Sequence, residues 1–228
     1  LPIGSIFMKS LFEDVQQDTK YRNQAKNIAD KLISYIANNI DELSAKSTKQ
    51  GTMYYRITTF DLGFSTNQYM VFYVHDYVKK AFGRRILAGV DNSSNIHIFY
   101  DFQNDIEINQ NQTLKSTLVH EIIHILDNIR SGHNIPNATT GSYDDYVNSS
   151  GELNAHYQEM IHEVEQFLEM LDDKDNGEKV KELLMSTPEK FIKFALNKLD
   201  NDYTDSLTDD NLKKFKKRLY QYYQEYMI

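Results

Sequence analysis

The chain has no cysteine and no tryptophan, and only three prolines and nine glycines among its 228 residues. Without cysteine there are no disulfides, thiol nucleophiles or cysteine-based zinc knuckles. The compartment stays open, because a cysteine-free protein can work inside or outside a cell. No run of about 18 apolar residues occurs, so no membrane span is expected. Leu1 to Ser10 lacks the basic start and long apolar stretch of a secretory signal. Positive charge is also short: 25 Lys and Arg face 33 Asp and Glu, a net charge of −8. A protein that tracks phosphates needs a dense basic face, so nucleic acid is not expected as a partner.

A hydrophobic content of 40%, with 16 Tyr and 12 Phe, supplies enough apolar surface for a packed core. Tyr21, Ala25, Ile28, Leu32, Ile36, Ile40 and Leu43 recur at three- and four-residue steps, which predicts a long amphipathic helix over about 16–45. The period then changes. Residues 52–60 and 68–74 are rich in β-branched and aromatic side chains, as strands are. A short helix is expected over Asp76 to Phe82, closed by Gly83. Residues 85–90 and 95–100 flank Asp91-Asn92-Ser93-Ser94 and read as a β-hairpin.

From about Thr113 the chain reads as helical, over 113–130, 150–171, 178–186, 188–199 and 208–226. Asp172 to Gly177 forms a polar break, and Pro188 suits a first helical position after a Ser186-Thr187 cap. Strands followed by helices predict an α+β fold with a small mixed sheet packed on helices. A single domain is expected over residues 1–228: helix and sheet to 112, the central helices over 113–171, and C-terminal helices from 172. The long polar loop from Ser131 to Asn148 is of the kind that is usually functional or mobile.

The chemistry concentrates in His120-Glu121-Ile122-Ile123-His124. Two histidines four apart project from one face of a helix, about a turn from each other, and can grip one tetrahedral Zn²⁺. Glu121, offset by one residue, stands beside the ion, where it can take a proton from the attacking water and pass it to the leaving group. Leu114, Leu118, Val119, Ile122, Ile123, Ile125, Leu126 and Ile129 make the surrounding helix apolar on nearly every side. Such a helix is buried, and burying two imidazoles and a carboxylate without partners is costly. A metal ion resolves that cost better than three separately satisfied core residues.

A third protein ligand is expected from elsewhere in the chain. Ser149 or Ser150 can cap the helix that follows the long loop, which puts Glu152 in its first turn. Glu152 is the expected ligand, against the alternative of a dipole-favoured carboxylate on a solvated face. Asp144, His133 and His156 are its competitors. Asp144 lies in a string loosely like that of the aspzincins, and Arg130 occupies the place where metzincins carry a third histidine.

His-Glu-x-x-His followed by a helical Glu-x-x-Ala resembles the gluzincin branch of the zincins, and most of all the lethal-factor-like metallopeptidases, which include proline-specific endopeptidases of clostridia. The residues carrying this likeness are His124-Ile125-Leu126-Asp127, Tyr146 six before Glu152, and Ala155 three after it. It covers roughly 86–171, and it departs from the family at Ile123 and Leu153, where a small residue and Phe are usual. The resemblance implies a zincin-like fold and a zinc metallopeptidase acting on a peptide or protein substrate. It also implies that Tyr146 donates to the oxyanion, that Asp127 orients a ligand histidine, and that Ile96 to Tyr100 corresponds to the edge strand that pairs with substrate.

The other readings are a metal-holding module that does not cleave, against which the retained Glu121 argues, and a zinc hydrolase acting on another bond. His97 reads as structural, and His156 and His162 read as helix-face residues rather than ligands. Lys213 to Arg218 reads as a solvated basic face.

Overall fold

Helix α1 runs from Ile3 to Asn38. It begins well before residue 16, since Pro2 stands just ahead of it and no proline or glycine follows Gly4 within it. The computed structural model describes residues 3–39, 52–58, 69–75, 79–81, 84–91, 95–101, 107–131, 142–199 and 201–226. Its contacts divide the chain into two compact units, Leu1–Arg22 with Pro136–Ile228, and Asn23–Ile135. The architecture is mixed α+β, dominated by helix, with a small sheet. No helix among the described residues is long and apolar enough to cross a membrane.

In the unit Asn23–Ile135, β1 (Thr52–Thr58), β2 (Tyr69–His75), β5 (Ala88–Val90) and β6 (Ile96–Phe99) form one sheet in the order β1-β2-β6-β5. β1 and β2 pair antiparallel, β2 and β6 parallel, and β5 and β6 antiparallel as the expected hairpin. β6 is therefore an interior strand, not the edge strand the family resemblance implied. Among the described residues the edges are β1 and β5.

Alternation sorts the side chains. Phe72, Val74, Ile96 and Ile98 share one buried face, while Tyr73, His75, His97 and Phe99 share the other. Tyr35 of α1 meets Phe72 edge-on at 5.9 Å, which places α1 on the first face. β3 (Lys79–Ala81) and β4 (Arg84–Ile86) form a separate two-stranded ribbon, so the helix expected over Asp76 to Phe82 is not formed at 79–81. A partner strand two residues away outweighs the local helical pattern there.

Helix α2 (Gln112–Ser131) carries the His-Glu-x-x-His string and packs on β5. Leu114, Leu118, Val119, Ile122 and Ile123 have no exposed surface, as the apolar pattern predicts. Each such side chain contributes about 1.5–3 kcal/mol on burial. Asn111 caps the helix by accepting from Leu114 N–H at 2.9 Å, and Lys115 pairs with Asp30 of α1 at 2.6 Å.

The other unit is helical. α3 (Tyr143–Val147) lies inside the expected loop and starts from a capping box between Ser142 and Asp145. α4 (Ser150–Asp172) follows at once, then α5 (Gly177–Leu184), α6 (Pro188–Leu196), α7 (Asn201–Ser206) and α8 (Asp209–Tyr226). Thr187 caps α6 with Pro188 in its first turn, as expected. At the polar break Asn176 adopts φ 64°, and a Cβ on Gly177 would lie 1.7 Å from the Leu171 carbonyl oxygen, so only glycine fits.

Tyr157, Ile161, Phe191, Phe215, Leu219 and Tyr222 belong to the core of this unit. Arg22 is buried against it, donating to Gln158 Oε1 at 3.1 Å and Glu165 Oε1 at 2.7 Å. Arg218 is the exception within the basic run. Its guanidinium lies 3.7 Å from the Tyr157 ring centroid and pairs with Asp18 at 2.7 Å, whereas Lys213 and Lys214 are exposed.

Candidate metal centre

The two histidines of α2 meet as the four-residue spacing requires. His120 Nε2 and His124 Nε2 are 3.0 Å apart, with the rings nearly perpendicular at 77°. His120 is buried and His124 half-buried. Two Nε2 atoms that close cannot both carry protons into the gap, and a cation can accept both lone pairs. A tetrahedral ion with bonds of 2.0–2.1 Å separates two ligand nitrogens by about 3.3 Å. The pair therefore suits zinc after adjustments of a few tenths of an ångström. Glu121, half-buried, follows His120 directly, and Asp127 lies three residues after His124 on the same helix. Ile129 is in the helix, but its side chain lies outside the described set.

Glu152 belongs to the other unit, in the first turn of α4. Ser149 caps this helix, accepting from Glu152 N–H at 3.3 Å. The carboxylate is buried, at 6% exposure, so it is not the solvated first-turn acid of the alternative reading. One turn on, His156 has Nε2 3.8 Å from Glu152 Oε2 and Nδ1 3.1 Å from Glu159 Oε2. His156 is thus flanked by two carboxylates rather than set on a free helix face, and His162 is fully buried.

The start of α4 is tied down by Asn148. Its side-chain amide donates to Ser206 O at 2.7 Å, and its Oδ1 accepts from Thr208 N–H and Asn211 Nδ2, both at 2.9 Å. Tyr146, on α3, is half-buried with its ring packed against the unit's core. Asp144 on the same helix is exposed, and His133 lies outside the described residues.

Tyr203 was not singled out by its sequence position. Its ring centroid lies 3.9 Å from that of His156, and it is 3% exposed. Burial pushes its phenol up, and the neighbouring Glu152 and Glu159 push it further. Its hydroxyl is buried with no hydrogen-bond partner among the described residues. No local pattern marks a six-residue helix such as α7, so only the packing reveals it. Compared with protein-family models, with curated proteins and with solved structures, the chain gives no match.

Proposed function

We propose that this chain is a zinc-dependent metallopeptidase of zincin type. The observation that carries the reading is the pair of imidazole nitrogens of His120 and His124 held 3.0 Å apart on a buried helix, with Glu121 next in sequence. His120 and His124 hold the ion, and we assign the third ligand to Glu152, a buried carboxylate whose helix start is fixed by Ser149 and Asn148. Among the competitors, Asp144 is exposed and His156 already faces two carboxylates.

When bound, zinc lowers the pKa of water and polarises the scissile carbonyl. Glu121 takes the proton of the attacking water and returns it to the leaving nitrogen. Tyr146 donates to the developing oxyanion. The substrate class that goes with this reading is a peptide or protein.

The test is cleavage of a mixed peptide pool by zinc-loaded protein, followed by mass spectrometry with and without a chelator. Chelator-sensitive cleavage that disappears in Glu121→Gln supports the reading. A protein that binds zinc and cleaves nothing in the pool would instead be the metal-holding module.

A further inference from the structure

Among the described residues, the main sheet is two antiparallel pairs, β1–β2 and β5–β6, joined where β2 meets β6 in parallel. That seam is short, running from Phe72↔Ile96 to His75↔Phe99. Two histidines bridge it on the face away from α1: His75, which closes β2, and His97 on β6. Their rings are nearly coplanar, at 6°, with centroids 5.3 Å apart. His75 Nε2 faces His97 Nδ1 at 3.0 Å, a hydrogen bond with room for one proton in the gap. On the far side, His97 Nε2 lies 3.2 Å from Asp91 Oδ2. Asp91 is itself held, its two carboxylate oxygens accepting from Asn95 N–H at 2.9 Å and from Asn95 Nδ2 at 2.8 Å.

That chain of contacts fixes the proton positions. An ionised Asp91 only accepts, so His97 carries its proton on Nε2 and turns the lone pair of Nδ1 toward His75, which donates from Nε2. His97 stacks on Tyr73 with centroids 4.7 Å apart, and His75 stacks on Phe99 at 4.7 Å, which holds both rings in line. One added proton leaves the bridge intact, because the two rings share it and Asp91 balances the charge. A second does not. With both rings cationic, each nitrogen in the gap carries a proton, and two N–H groups point at each other. Among the described residues, the other groups that face the pair are Tyr73 of β2 and Lys79 of β3, whose Nζ lies 4.5 Å from the Phe99 ring centroid. Lys79 adds to the repulsion, and the anion Asp91 stands on the side of His97.

We propose that His75 and His97 form a pH-sensitive latch on the β2–β6 seam, closed while the pair holds at most one added proton and released when both rings are charged. β5 packs on α2, so the seam ties β1–β2 to the part of the sheet that supports the His120 helix. Burial of His75, helped by the neighbouring His97 and Lys79, lowers its pKa from 6.5 to about 4. An imidazole with a lowered pKa in the closed state binds its proton more readily once the seam opens. The closed state is therefore favoured in full above about pH 6.5, and it loses that advantage as the pH falls through about 4. The total change is about 10²-fold in the closed–open equilibrium.

This inference is independent of the proposed peptidase activity. The test follows the full, isotope-labelled chain by nuclear magnetic resonance from pH 7.5 down to 4. At pH 7.5 both rings should carry their proton on Nε2, with a scalar coupling between His75 Nε2 and His97 Nδ1 across the hydrogen bond. Opening of the seam is read by hydrogen exchange at Tyr100 N–H, which donates to His75 O at 2.9 Å. Corrected for intrinsic exchange, its protection should fall about 10²-fold over that range in the parent. It should stay nearly flat in His75→Gln, which keeps a donor toward His97 and does not titrate. Circular dichroism establishes that the variant is folded, and the coupling is read on the parent alone. A missing coupling, or Tyr100 protection that holds steady in the parent or falls equally in His75→Gln, overturns the latch.

Discussion

Replacing Glu121 by glutamine removes the carboxylate that accepts the proton in the proposed mechanism. The side chain keeps its length and shape, and it is half-buried on a helix whose other faces are filled by Leu118, Ile122 and Ile125. His120 and His124 are untouched, so zinc content should stay at the parental level. The loss falls on turnover. General base and acid work is worth about 10²–10⁴ in rate, which is roughly 3–5 kcal/mol of barrier at 1.36 kcal/mol per decade. In the proposed mechanism Glu121 serves both proton transfers, so the upper half of that range is expected. The assay is the rate of peptide cleavage, at saturating zinc, by parent and variant preparations of equal metal content. Activity within about tenfold of the parent would show that Glu121 is not the base.

Other consequences can be measured in parallel. Tyr146→Phe should reduce turnover by about 10²–10³-fold with zinc content unchanged, as for one oxyanion donor. An unchanged rate would return Tyr146 to the packing of α3 and make Tyr203 the next phenol to test. Glu152→Ala should weaken zinc binding strongly, while Asp144→Ala, His133→Ala and His156→Ala leave it nearly intact. Sensitivity at Asp144 instead would favour an aspzincin-like ligand set. Arg22→Ala should destabilise the protein to urea by about 3 kcal/mol, because breaking a buried pair takes from Glu165 its charged partner among the described residues. A loss below about 1 kcal/mol would mean that the Arg22 network adds little.

What could be read in the sequence was local. The burial of α2 followed from its apolar residues, and the meeting of His120 with His124 followed from their spacing. The caps Ser149 and Thr187 were legible because a hydroxyl before a helix start has one obvious use, to accept a free backbone N–H. The β5–β6 hairpin was legible because the short polar sequence Asp91-Asn92-Ser93-Ser94 separates two strand-like segments.

What escaped depends on partners distant in sequence. β6 inserts between β2 and β5, and the parallel crossover leaves no local trace, so His97 read as an isolated structural residue although it meets His75. The strand at Lys79–Ala81 exists because Arg84–Ile86 pairs with it. α3 and α7 are too short to show a helical period, although the capping box at Ser142 and Asp145 could have signalled the first. The burial of Glu152 could not be read from its place in a first turn, which suits a solvated carboxylate equally well.

The central claim is that His120 and His124 hold a zinc ion. Metal analysis of protein purified without a metal-affinity tag, loaded with zinc and then dialysed, tests it most directly, with His120→Ala/His124→Ala as the paired control. One zinc per parental chain, removed by a chelator and absent from the double variant, is the predicted result. A parental chain that takes up no zinc, or a double variant that retains it, would contradict the account.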